Sequence, residues 1–353
     1  MISIAIDIMG GDNAPSAPIE GAVQALDSLS EDIKLVLVGP EELIEEELAK
    51  HGKEDDDRIE IRHADEVIEM DDPASSPIRK KKNSSVSLAA EEVKKGNADA
   101  LVSAGHTGAA VAATVYKLRT LPGIQRPGIA TVFPTPESAF LLIDAGANVG
   151  CKPVHLVQYG IMGEIYMREI LGVENPRIGL LNVGDEVGKG NDLTKETHDI
   201  LSGLEGVNFV GNVEGSDLFN DKADVIICDG FVGNVLLKSC ESLATAFGRF
   251  LKGLLKKNAP RKIGAFLSRG AFQDFKELSD YAEYGGAPLL GLNGGCIIGH
   301  GSSSAVAIRN AIRVASESVA YHLNDHIVER IEKLEITTAD INSKTEFASP
   351  VSG

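Results

Sequence analysis

The sequence predicts an α/β fold of three layers, in which helices cover both faces of a mostly parallel sheet. Seven times, a short apolar run rich in β-branched residues stops at a Gly-rich polar turn, and a helix-like stretch follows. The richest case is the run 178–181, which leads into the turn 182–191. This alternation indicates βαβ units, because parallel strands need a crossover connection that is usually a helix.

Short apolar runs are the strand candidates, and amphipathic stretches between them are the helix candidates. The predicted strands are 2–8, 34–38, 59–63, 99–103, 129–133, 139–144, 177–182, 207–211 and 224–229, with a last one at 297–298. The predicted helices are 17–29, 41–51, 85–96, 107–120, 154–171 and 192–203. Residues 302–333 follow the last strand and are expected to form one helix that covers the sheet.

A helical excursion at about 240–284 interrupts this rhythm. Its apolar start grades into basic residues, and 249–270 contain Lys and Arg but no acid. A basic amphipathic segment of this kind lies on an anionic membrane surface or docks an acidic partner. The alternative is a helical pair at a subunit interface, with its lysines extended to solvent. We expect one α/β domain over 1–333 and a disordered polar tail over 334–353.

Composition narrows the class of protein. The chain has 353 residues and a net charge of −18, which argues against a nucleic-acid binder. Four scattered cysteines without a CxxC pair indicate reduced thiols rather than disulfides or zinc. The N-terminus reads as a strand and not as a signal peptide, and no apolar run approaches the ~20 residues that span a bilayer. A soluble cytoplasmic protein is therefore expected.

Glycines at the strand ends predict an anion site. In open α/β sheets, ligands bind outside the carboxyl ends of the strands. Glycine there lets backbone N–H groups approach a ligand, and the free N–H groups of a helix start favour anions. The set of turns therefore indicates an enzyme that acts on a phosphate-bearing or carboxylate substrate, although any single glycine is explained as well by a tight turn.

Taken together, the turns resemble those of a known family. Nine motifs stand in the family's order and spacing: 7–15 (DIMGGDNAP), 79–85 (RKKKNSS), 103–109 (SAGHTGA), 144–148 (DAGAN), 152–159 (KPVHLVQY), 182–191 (NVGDEVGKGN), 229–235 (DGFVGNV), 284–287 (YGGA) and 300–303 (HGSS). On these motifs, residues 1–330 are similar to the bacterial PlsX family, the acyl-acyl-carrier-protein:phosphate acyltransferases of phospholipid synthesis.

The resemblance implies that a fatty acyl group moves from the thioester of acyl carrier protein to inorganic phosphate, giving acyl phosphate. It also implies a fold like that of phosphotransacetylases or of isocitrate and isopropylmalate dehydrogenases, a homodimer, and loose attachment to the inner face of the membrane. Two positions depart from the family pattern. His106 stands where the family usually has Asn, and Ser304-Ala305-Val306 replaces a more polar segment.

Phosphate is a dianionic nucleophile, so the reaction needs hydrogen-bond donors and a fixed line of attack rather than a strong base. Backbone N–H groups of the glycines and the hydroxyls of Ser103 and Thr107 are expected to form the cradle. The residues predicted to bind substrate or phosphate are Gly10, Gly11, Asp12, Asn13, Ser103, Gly105, Thr107, Asn148, Glu186, Asn191 and Lys81.

Four residues are predicted to be catalytic: Lys189, His300, Asn234 and Asp229. Lys189 lies between two glycines and is expected to pair with phosphate charge or to stabilise the oxyanion. His300 is expected to protonate the departing thiolate as a general acid, and the alternative is a histidine bonded to a backbone carbonyl. Asp229 either orients a Lys or His or caps a turn. Each predicted asparagine either holds a substrate oxygen or caps a helix.

The sequence lacks the residue patterns that covalent catalysis, metal binding and nicotinamide binding require. No cysteine or Gly-x-Ser-x-Gly turn ends a strand, so direct attack without an acyl-enzyme is expected. Asp12, Asp185 and Glu186 are acidic but lack ligand-like spacing, so no metal is expected, and Glu186 alternatively pairs with Lys189. No Gly-x-Gly-x-x-Gly follows the first strand, so a nicotinamide cofactor is disfavoured, and no other cofactor is expected.

Two basic clusters, 79–82 and 249–270, stand out in an acidic chain. Acyl carrier proteins are acidic, so an acidic enzyme needs a local positive patch to attract one. We expect the first cluster to meet substrate and the second to meet the carrier or the membrane.

Two other functions compete with phosphate acyl transfer from a carrier protein. One is a phosphotransacetylase-like enzyme that uses acyl-CoA, and the other is a non-catalytic membrane-associated scaffold of lipid synthesis. The enzymatic interpretation requires the loops at one rim of the sheet to converge. Asn148, Lys189, Asn234 and His300 are therefore expected around one shared hollow.

Overall fold

The computed structural model describes residues 1–272 and 285–334. Its strands, in chain order, are β1 (Ile2–Asp7), β2 (Ile33–Gly39), β3 (Ile59–His63), β4 (Ala100–Ser103), β5 (Gly128–Pro134), β6 (Ala139–Ile143), β7 (Ile178–Asn182), β8 (Phe209–Glu214), β9 (Val225–Ile227), β10 (Ala287–Leu290) and β11 (Gly295–Ile298). They form one sheet in the order β3-β2-β1-β4-β11-β10-β5-β6-β9-β7-β8.

Helices cover both faces of this sheet. They are α1 (Ser16–Ser28), α2 (Glu41–Lys50), α3 (Ser76–Arg79), α4 (Ser85–Lys95), α5 (Thr107–Leu118), α6 (Pro153–Glu169), α7 (Asp192–Ser202), α8 (Gly230–Leu255), α9 (Ala259–Leu267), α10 (Ala305–Ala320) and α11 (Leu323–Lys333). Successive residues of β1 show the two-sided burial: Ile4 and Ile6 pack with α1 and α10, whereas Ala5 packs with α4 on the other face. Side chains that alternate across a strand bury both faces, as in a three-layer α/β/α fold.

The sheet reverses direction in its middle. Strands β1, β2, β3, β4 and β11 run parallel to one another. Strand β10 is antiparallel to both β11 and β5, and β5 is antiparallel to β6. Strands β6, β9, β7 and β8 are again mutually parallel. The two parallel groups therefore run in opposite directions, and their carboxyl ends lie at opposite edges of the sheet.

The predicted α/β class and mostly parallel sheet are confirmed. The predicted strands and helices up to residue 229 match observed elements, with ends that differ by a few residues. How the chain divides into domains stays a prediction. Residues 335–353 of the predicted tail, which begins at 334, fall outside the described residues. So do the end of the helical excursion and Tyr284 of the YGGA motif.

Two features near the C-terminus differ from the prediction. Strand β10 was not predicted, since its four residues carry a proline and little alternation. The single helix expected over 302–333 is two helices, α10 and α11. The break falls at His322, whose φ of 51° is in the left-handed region and cannot continue a right-handed helix.

Helix α8 leaves the layers. It has 26 residues, of which Gly230 and Gly233 are buried, and it packs against the core up to Cys240, through Leu236, Leu237 and Cys240. At 1.5 Å per residue it is about 39 Å long, so its C-terminal part projects together with α9, which has no buried residue. Within the described residues, no helix combines the length and the apolar character needed to cross a bilayer.

Close packing of α1 against α10 predicts a stability effect at Gly21. A Cβ there would lie 2.6 Å from Ile308 Cβ and 2.7 Å from the Ala305 carbonyl oxygen. We expect Gly21→Ala to lower the free energy of unfolding by about 1–3 kcal/mol, because the two helices must move apart. Urea unfolding followed by circular dichroism measures this change.

Gly253→Ala is the matched control, since a Cβ at Gly253 in α8 meets nothing within 4 Å. This variant is expected to be neutral or to gain up to about 1 kcal/mol from helix propensity. Equal changes in the free energy of unfolding for the two variants would show that close packing of α1 against α10 does not make Gly21 necessary.

Candidate active site

The turns after β1, β4 and β11 meet at one edge of the sheet, here called the first edge. Asp12 N donates to the Gly301 carbonyl at 2.7 Å, and Gly299 N donates to the Ser103 carbonyl at 2.8 Å. The Asn13 side-chain amide donates to the Ser303 carbonyl at 3.3 Å. These bonds join three of the predicted motifs because β1, β4 and β11 are adjacent parallel strands.

Three helices start at the first edge. Helices α1, α5 and α10 follow β1, β4 and β11 directly, so their N-termini and the positive ends of their dipoles converge there. The turns after β1 and β4 approach each other closely at Gly10, where a Cβ would lie 2.8 Å from Gly105 N. Glycine is therefore required for the two turns to meet, and this edge has the physical properties of an anion site.

His106 takes a structural position at this edge. It is the N-cap of α5, and its Nδ1 accepts from Ala109 N at 3.1 Å. Asn, the residue expected at this position from the family resemblance, is a preferred N-cap residue, so it is suited to the same role. Thr107 is an exposed residue in the first turn of α5. A hydroxyl that contacts phosphate, as predicted for Thr107, must be exposed.

A buried carboxyl lies beneath these turns. Asp7 is buried, and its Oδ2 accepts from Ser103 Oγ at 2.6 Å. Its Oδ1 has no hydrogen-bond partner among the described residues. Burial raises the pKa of Asp7, so the neutral acid is favoured there. The predicted contact of the Ser103 hydroxyl with phosphate is not supported, because Ser103 is itself buried and its hydroxyl is bonded to Asp7.

His300 is exposed in the turn after β11. Its Nδ1 accepts from Ser302 N at 3.2 Å and lies 2.8 Å from Ser302 Oγ. An Nδ1 that accepts a backbone N–H places the proton of the neutral ring on Nε2. Helix α10 begins after His300, with Ser304 as its N-cap.

The turns after β6, β9 and β7 lie at the other edge of the sheet, here called the second edge. The turn after β6 is organised by Asp144, which is buried. Its carboxylate accepts from the backbone N–H groups of Ile129, Gly146, Ala147 and Asn148 at 2.7–3.0 Å. Burial raises the pKa of Asp144, and these donors oppose the rise. The anion-binding turn predicted here is filled by the protein's own carboxylate.

Asn148 was predicted to bind substrate, and the structure does not support this role. Its side-chain amide donates to the Pro127 carbonyl at 2.6 Å, to Tyr159 Oη at 3.0 Å and to Asp144 Oδ2 at 3.1 Å. Both amide hydrogens are committed to the protein interior, so the residue fixes the 144–148 turn. Gly230 N donates to the Asn148 carbonyl at 2.9 Å, which ties this turn to the start of α8.

Two predicted site residues are helix caps, which was the alternative interpretation of each. Asp229 is the N-cap of α8 and accepts from Phe231 N and Val232 N at 3.0 and 3.1 Å. Asn191 is the N-cap of α7 and accepts from Thr194 N at 3.0 Å. Asn234 lies in the first turns of α8, and it is exposed. A Cβ at Gly146 would lie 3.4–3.5 Å from the Asn234 side chain.

The turn after β7 presents Lys189 to solvent. Its Nζ lies 3.8 Å from Glu186 Oε2, and the side chains are 55% and 64% exposed. An exposed pair at this distance contributes little to stability, so the lysine is available to another anion. Gly188 and Gly190 have φ values of 96° and 93°. The left-handed backbone on both sides explains the glycines and holds Lys189 at the tip of the turn.

Exposed apolar side chains surround this second edge. They lie in the turns after β6 and β7 and in the first turns of α8: Val149, Val183, Val187, Phe231, Val232 and Val235. Several large exposed apolar side chains at one edge of a sheet favour a contact with an apolar ligand or with another protein.

The expectation of a single rim is wrong within one chain. His300 follows β11 at the first edge, whereas Asn148, Asn234 and Lys189 follow β6, β9 and β7 at the second. Five strand spacings separate β11 from β7, which is about 24 Å at ~4.8 Å per strand. Because the sheet reverses between β5 and β6, Lys189 and His300 of one chain cannot bind the same phosphate.

Lys81 was predicted to meet phosphate, and the structure gives it another partner. Its Nζ lies 2.5 Å from Asp72 Oδ2 and donates to the Val67 carbonyl at 2.8 Å. This pairing lowers the pKa of Asp72. The neighbours Arg79, Lys80 and Lys82 are exposed and keep a positive surface. Among the described residues, no cluster of His, Cys, Asp and Glu has the geometry of a metal site.

Asp7 and Asp144 are organising residues to which the sequence alone assigned no role. Both follow a buried apolar strand, at 4–6 and 141–143, and precede a Gly-rich turn. An acid in that position is a detectable signal, because a carboxyl at the end of a buried strand needs backbone donors from the next turn.

Residues 2–325 match the family described as Fatty acid synthesis protein, FA_synthesis. The chain is 50% identical over 330 residues to a phosphate acyltransferase of Geotalea daltonii, with 94% of each chain covered. It is 49% identical over 329 residues to a phosphate acyltransferase of Geobacter sulfurreducens, covering 93% of this chain and 94% of that one. A phosphate acyltransferase of Pelotomaculum thermopropionicum is 48% identical over 346 residues, covering 98% and 100%.

Solved structures show the same architecture. A phosphotransacetylase from Streptococcus pyogenes gives a TM-score of 0.59 at 17% identity, covering 90% of this chain and 94% of that one. A branched-chain phosphotransacylase from Enterococcus faecalis V583 gives 0.55 at 16% identity, covering 90% and 99%. This likeness confirms the predicted phosphotransacetylase-like fold and, at these identities, shows the fold alone.

The buried carboxyl of Asp7 predicts a pH dependence of stability. Its raised pKa means that the folded chain keeps this proton to a higher pH than the unfolded chain, in which an aspartate titrates near about pH 4. Between this pH and the pKa of Asp7 in the folded chain, a rise in pH therefore lowers the free energy of unfolding. We expect Asp7→Asn to gain stability relative to wild type over this range and the gain then to level off.

Urea unfolding between about pH 4 and pH 8 measures the effect, with Asp7→Ala as the comparison. The alanine variant is expected to show the same change in pH dependence together with a constant loss, because it leaves a cavity and removes the acceptor of Ser103. Parallel curves for wild type and Asp7→Asn would show that Asp7 is ionised in the folded chain.

Proposed function

We propose, because this chain belongs to the phosphate acyltransferase family, that it moves a long-chain fatty acyl group from acyl carrier protein to inorganic phosphate, giving acyl phosphate for phospholipid synthesis. Family membership rests on identities near 50% over almost the whole chain. It makes the protein an enzyme of the acyltransferase class. The carrier-protein donor, the chain length and the place in phospholipid synthesis are the proposed part.

The observation that carries the proposal is the first edge. Three helix N-termini and the turns at Gly10, Gly11 and Gly105 meet there, and the buried acid beneath them, Asp7, has a raised pKa. A neutral acid leaves the positive field of the helix ends intact, so this edge is suited to a phosphate dianion. We place phosphate against the turns 10–13 and 104–107.

From this position phosphate attacks the thioester directly. An oxygen of phosphate forms the new bond to the acyl carbon, the C–S bond breaks, and the thiolate of the carrier leaves with a proton. Hydrogen phosphate supplies that proton. The Nε2–H group of neutral His300 is proposed to donate a hydrogen bond to the departing sulfur, and Lys189 stabilises the oxyanion. Burial raises the pKa of all four cysteine thiols, that of Cys296 to about 12. They are therefore poor nucleophiles, which supports attack without an acyl-enzyme.

The two edges are brought together in this proposal by a second copy of the chain. Lys189 and His300 of one chain lie about 24 Å or more apart by strand count, since five spacings separate their strands. The second edge carries the exposed apolar group Val149, Val183, Val187, Phe231, Val232 and Val235. A homodimer that covers this group and sets Lys189 of one copy against the first edge of the other would complete the site.

The basic surfaces are the proposed contacts for the carrier and the membrane. Arg79, Lys80 and Lys82 are exposed beside the loop that leads to α4. The projecting helices α8 and α9 carry an outer apolar row, Leu243, Phe247, Phe250 and Leu254, next to lysines and arginines. Such a surface fits an anionic bilayer, and we propose a cytoplasmic protein that contacts the inner membrane face peripherally.

An assay of phosphate-dependent acyl phosphate formation tests the proposed function. We expect turnover with palmitoyl-acyl carrier protein and little with acetyl-CoA. Lys189→Ala is expected to lower kcat by about 10²–10³-fold, as the loss of an oxyanion donor does in other acyl transfers. Lys195→Ala, an exposed lysine on α7, is the control and should retain activity.

Faster turnover with acetyl-CoA would instead indicate a phosphotransacetylase-like enzyme. An absence of turnover with every acyl donor, alongside intact binding to anionic vesicles, would support a scaffold and overturn the proposal.

Mixed dimers test whether two chains share each site. Lys189→Ala and His300→Ala subunits, carrying different affinity tags, are co-expressed and the heterodimer is isolated through both tags. One of its two sites then has both residues intact, so we expect about half of wild-type activity, whereas each variant homodimer is inactive. If each site lies within one chain, both sites of the heterodimer are damaged and no activity returns.

A further inference from the structure

Helices α8 and α9 enclose a groove that the proposed reaction does not use. The groove has a volume of about 700 Å³ and is lined by Gly248, Leu251, Lys252, Leu255, Lys256, Lys262, Ala265 and Phe272. Leu255 and Ala265 are half-buried and form its floor, while the lysines are exposed at its rim. Its volume is in the range of pockets that hold small molecules.

Helix α8 has two distinct apolar rows, which separates this groove from the outer surface. The groove row is Gly248, Leu251 and Leu255, spaced as one helix face. The outer row is Leu243, Phe247, Phe250 and Leu254, which are exposed and do not line the groove. A flat bilayer or a second protein can cover the convex outer row, whereas the concave groove requires a ligand that enters it.

The rim of the groove is positively charged. Lys252, Lys256 and Lys262 line it, and 249–270 contain no acidic residue in a chain of net charge −18. A slender apolar ligand with one anionic end fits this combination, because its tail covers Leu251, Leu255 and Phe272 while its head meets the lysines. An acidic protein surface matches the lysines but has no tail for the floor.

We propose that this groove binds a single-chain anionic amphiphile, namely the long-chain acyl phosphate that the enzyme makes. The inference rests on the proposed function for the identity of the ligand. The groove begins at Gly248, 19 positions after Asp229 in the chain, which is about 28 Å along the helix. The groove is therefore separate from the turn at Asp229. It is a holding site, where the insoluble product stays bound to protein after it leaves the turns.

Binding of an unreactive analogue to the full-length protein tests the inference. Isothermal titration calorimetry with dodecyl phosphate below its micellar concentration, without carrier protein, is the measurement. We expect saturable binding that Leu255→Gln weakens about tenfold, because the floor of the groove becomes polar. Leu254→Gln, at the adjacent position in the outer row, is the matched control and should change affinity less than about twofold.

Charge is tested in the same way. The triple variant Lys252→Gln, Lys256→Gln and Lys262→Gln is expected to weaken dodecyl phosphate about tenfold or more and to bind dodecanol as wild type does. The double variant Arg249→Gln and Lys257→Gln, which changes basic residues outside the groove, should keep its affinity for dodecyl phosphate. Binding to anionic vesicles should show the opposite ranking between Leu254→Gln and Leu255→Gln.

Three results would overturn the inference. They are an absence of dodecyl phosphate binding, equal losses for Leu254→Gln and Leu255→Gln, and a change of oligomeric state that accompanies Leu255→Gln. The last would show that a second copy occupies the groove. Acyl phosphate formation is measured in parallel. Loss of binding with normal turnover leaves the proposed function standing, whereas bound analogue without turnover refutes the function and the identity of the ligand but leaves a site for an anionic amphiphile.

Discussion

The antiparallel pairing of β5 with β6 is the constraint on which the rest of the molecule depends. Strand β10 is antiparallel to both of its neighbours, so β11 and β5 point the same way, and the β5–β6 pair then sets the second parallel group against the first. Every helix that follows a strand then starts at the edge set by its group. The chain therefore has one set of Gly-rich turns at each edge of the sheet. Each set can act only with the side chains that lie at the same edge.

The two edges are built alike and differ in one physical respect. Each has a buried aspartate at the end of a strand, Asp7 at the first and Asp144 at the second. Asp144 accepts from four backbone N–H groups and fills its own anion-binding turn. Asp7 is bonded to the Ser103 hydroxyl, and burial raises its pKa and favours the neutral acid, so the helix N-termini above it have no buried counter-charge. That difference is why we place phosphate at the first edge, and why the second is suited to an apolar or protein contact.

Much of this architecture could be predicted from the sequence, since β-branched runs, Gly-rich turns and amphipathic stretches report local structure directly. The positions of Gly10, Gly105 and Lys189 followed from the same signals. Side-chain partners could not be predicted in this way. Asn148 donates a hydrogen bond to Pro127, Lys81 donates to Asp72, and Ser103 donates to Asp7. The fold brings each of these partners into contact. The single-rim expectation failed because it treated all strands as parallel, whereas β5 and β6, joined by the short connection 135–138, form an antiparallel pair.

The single sign of charge over 249–270 has a further consequence. This segment contains lysines and arginines but no acid, so all of its charges attract anions. Exposed charges are screened over a Debye length of about 8–10 Å at cellular ionic strength. The strength with which the segment holds an anionic surface or ligand therefore falls as the salt concentration rises.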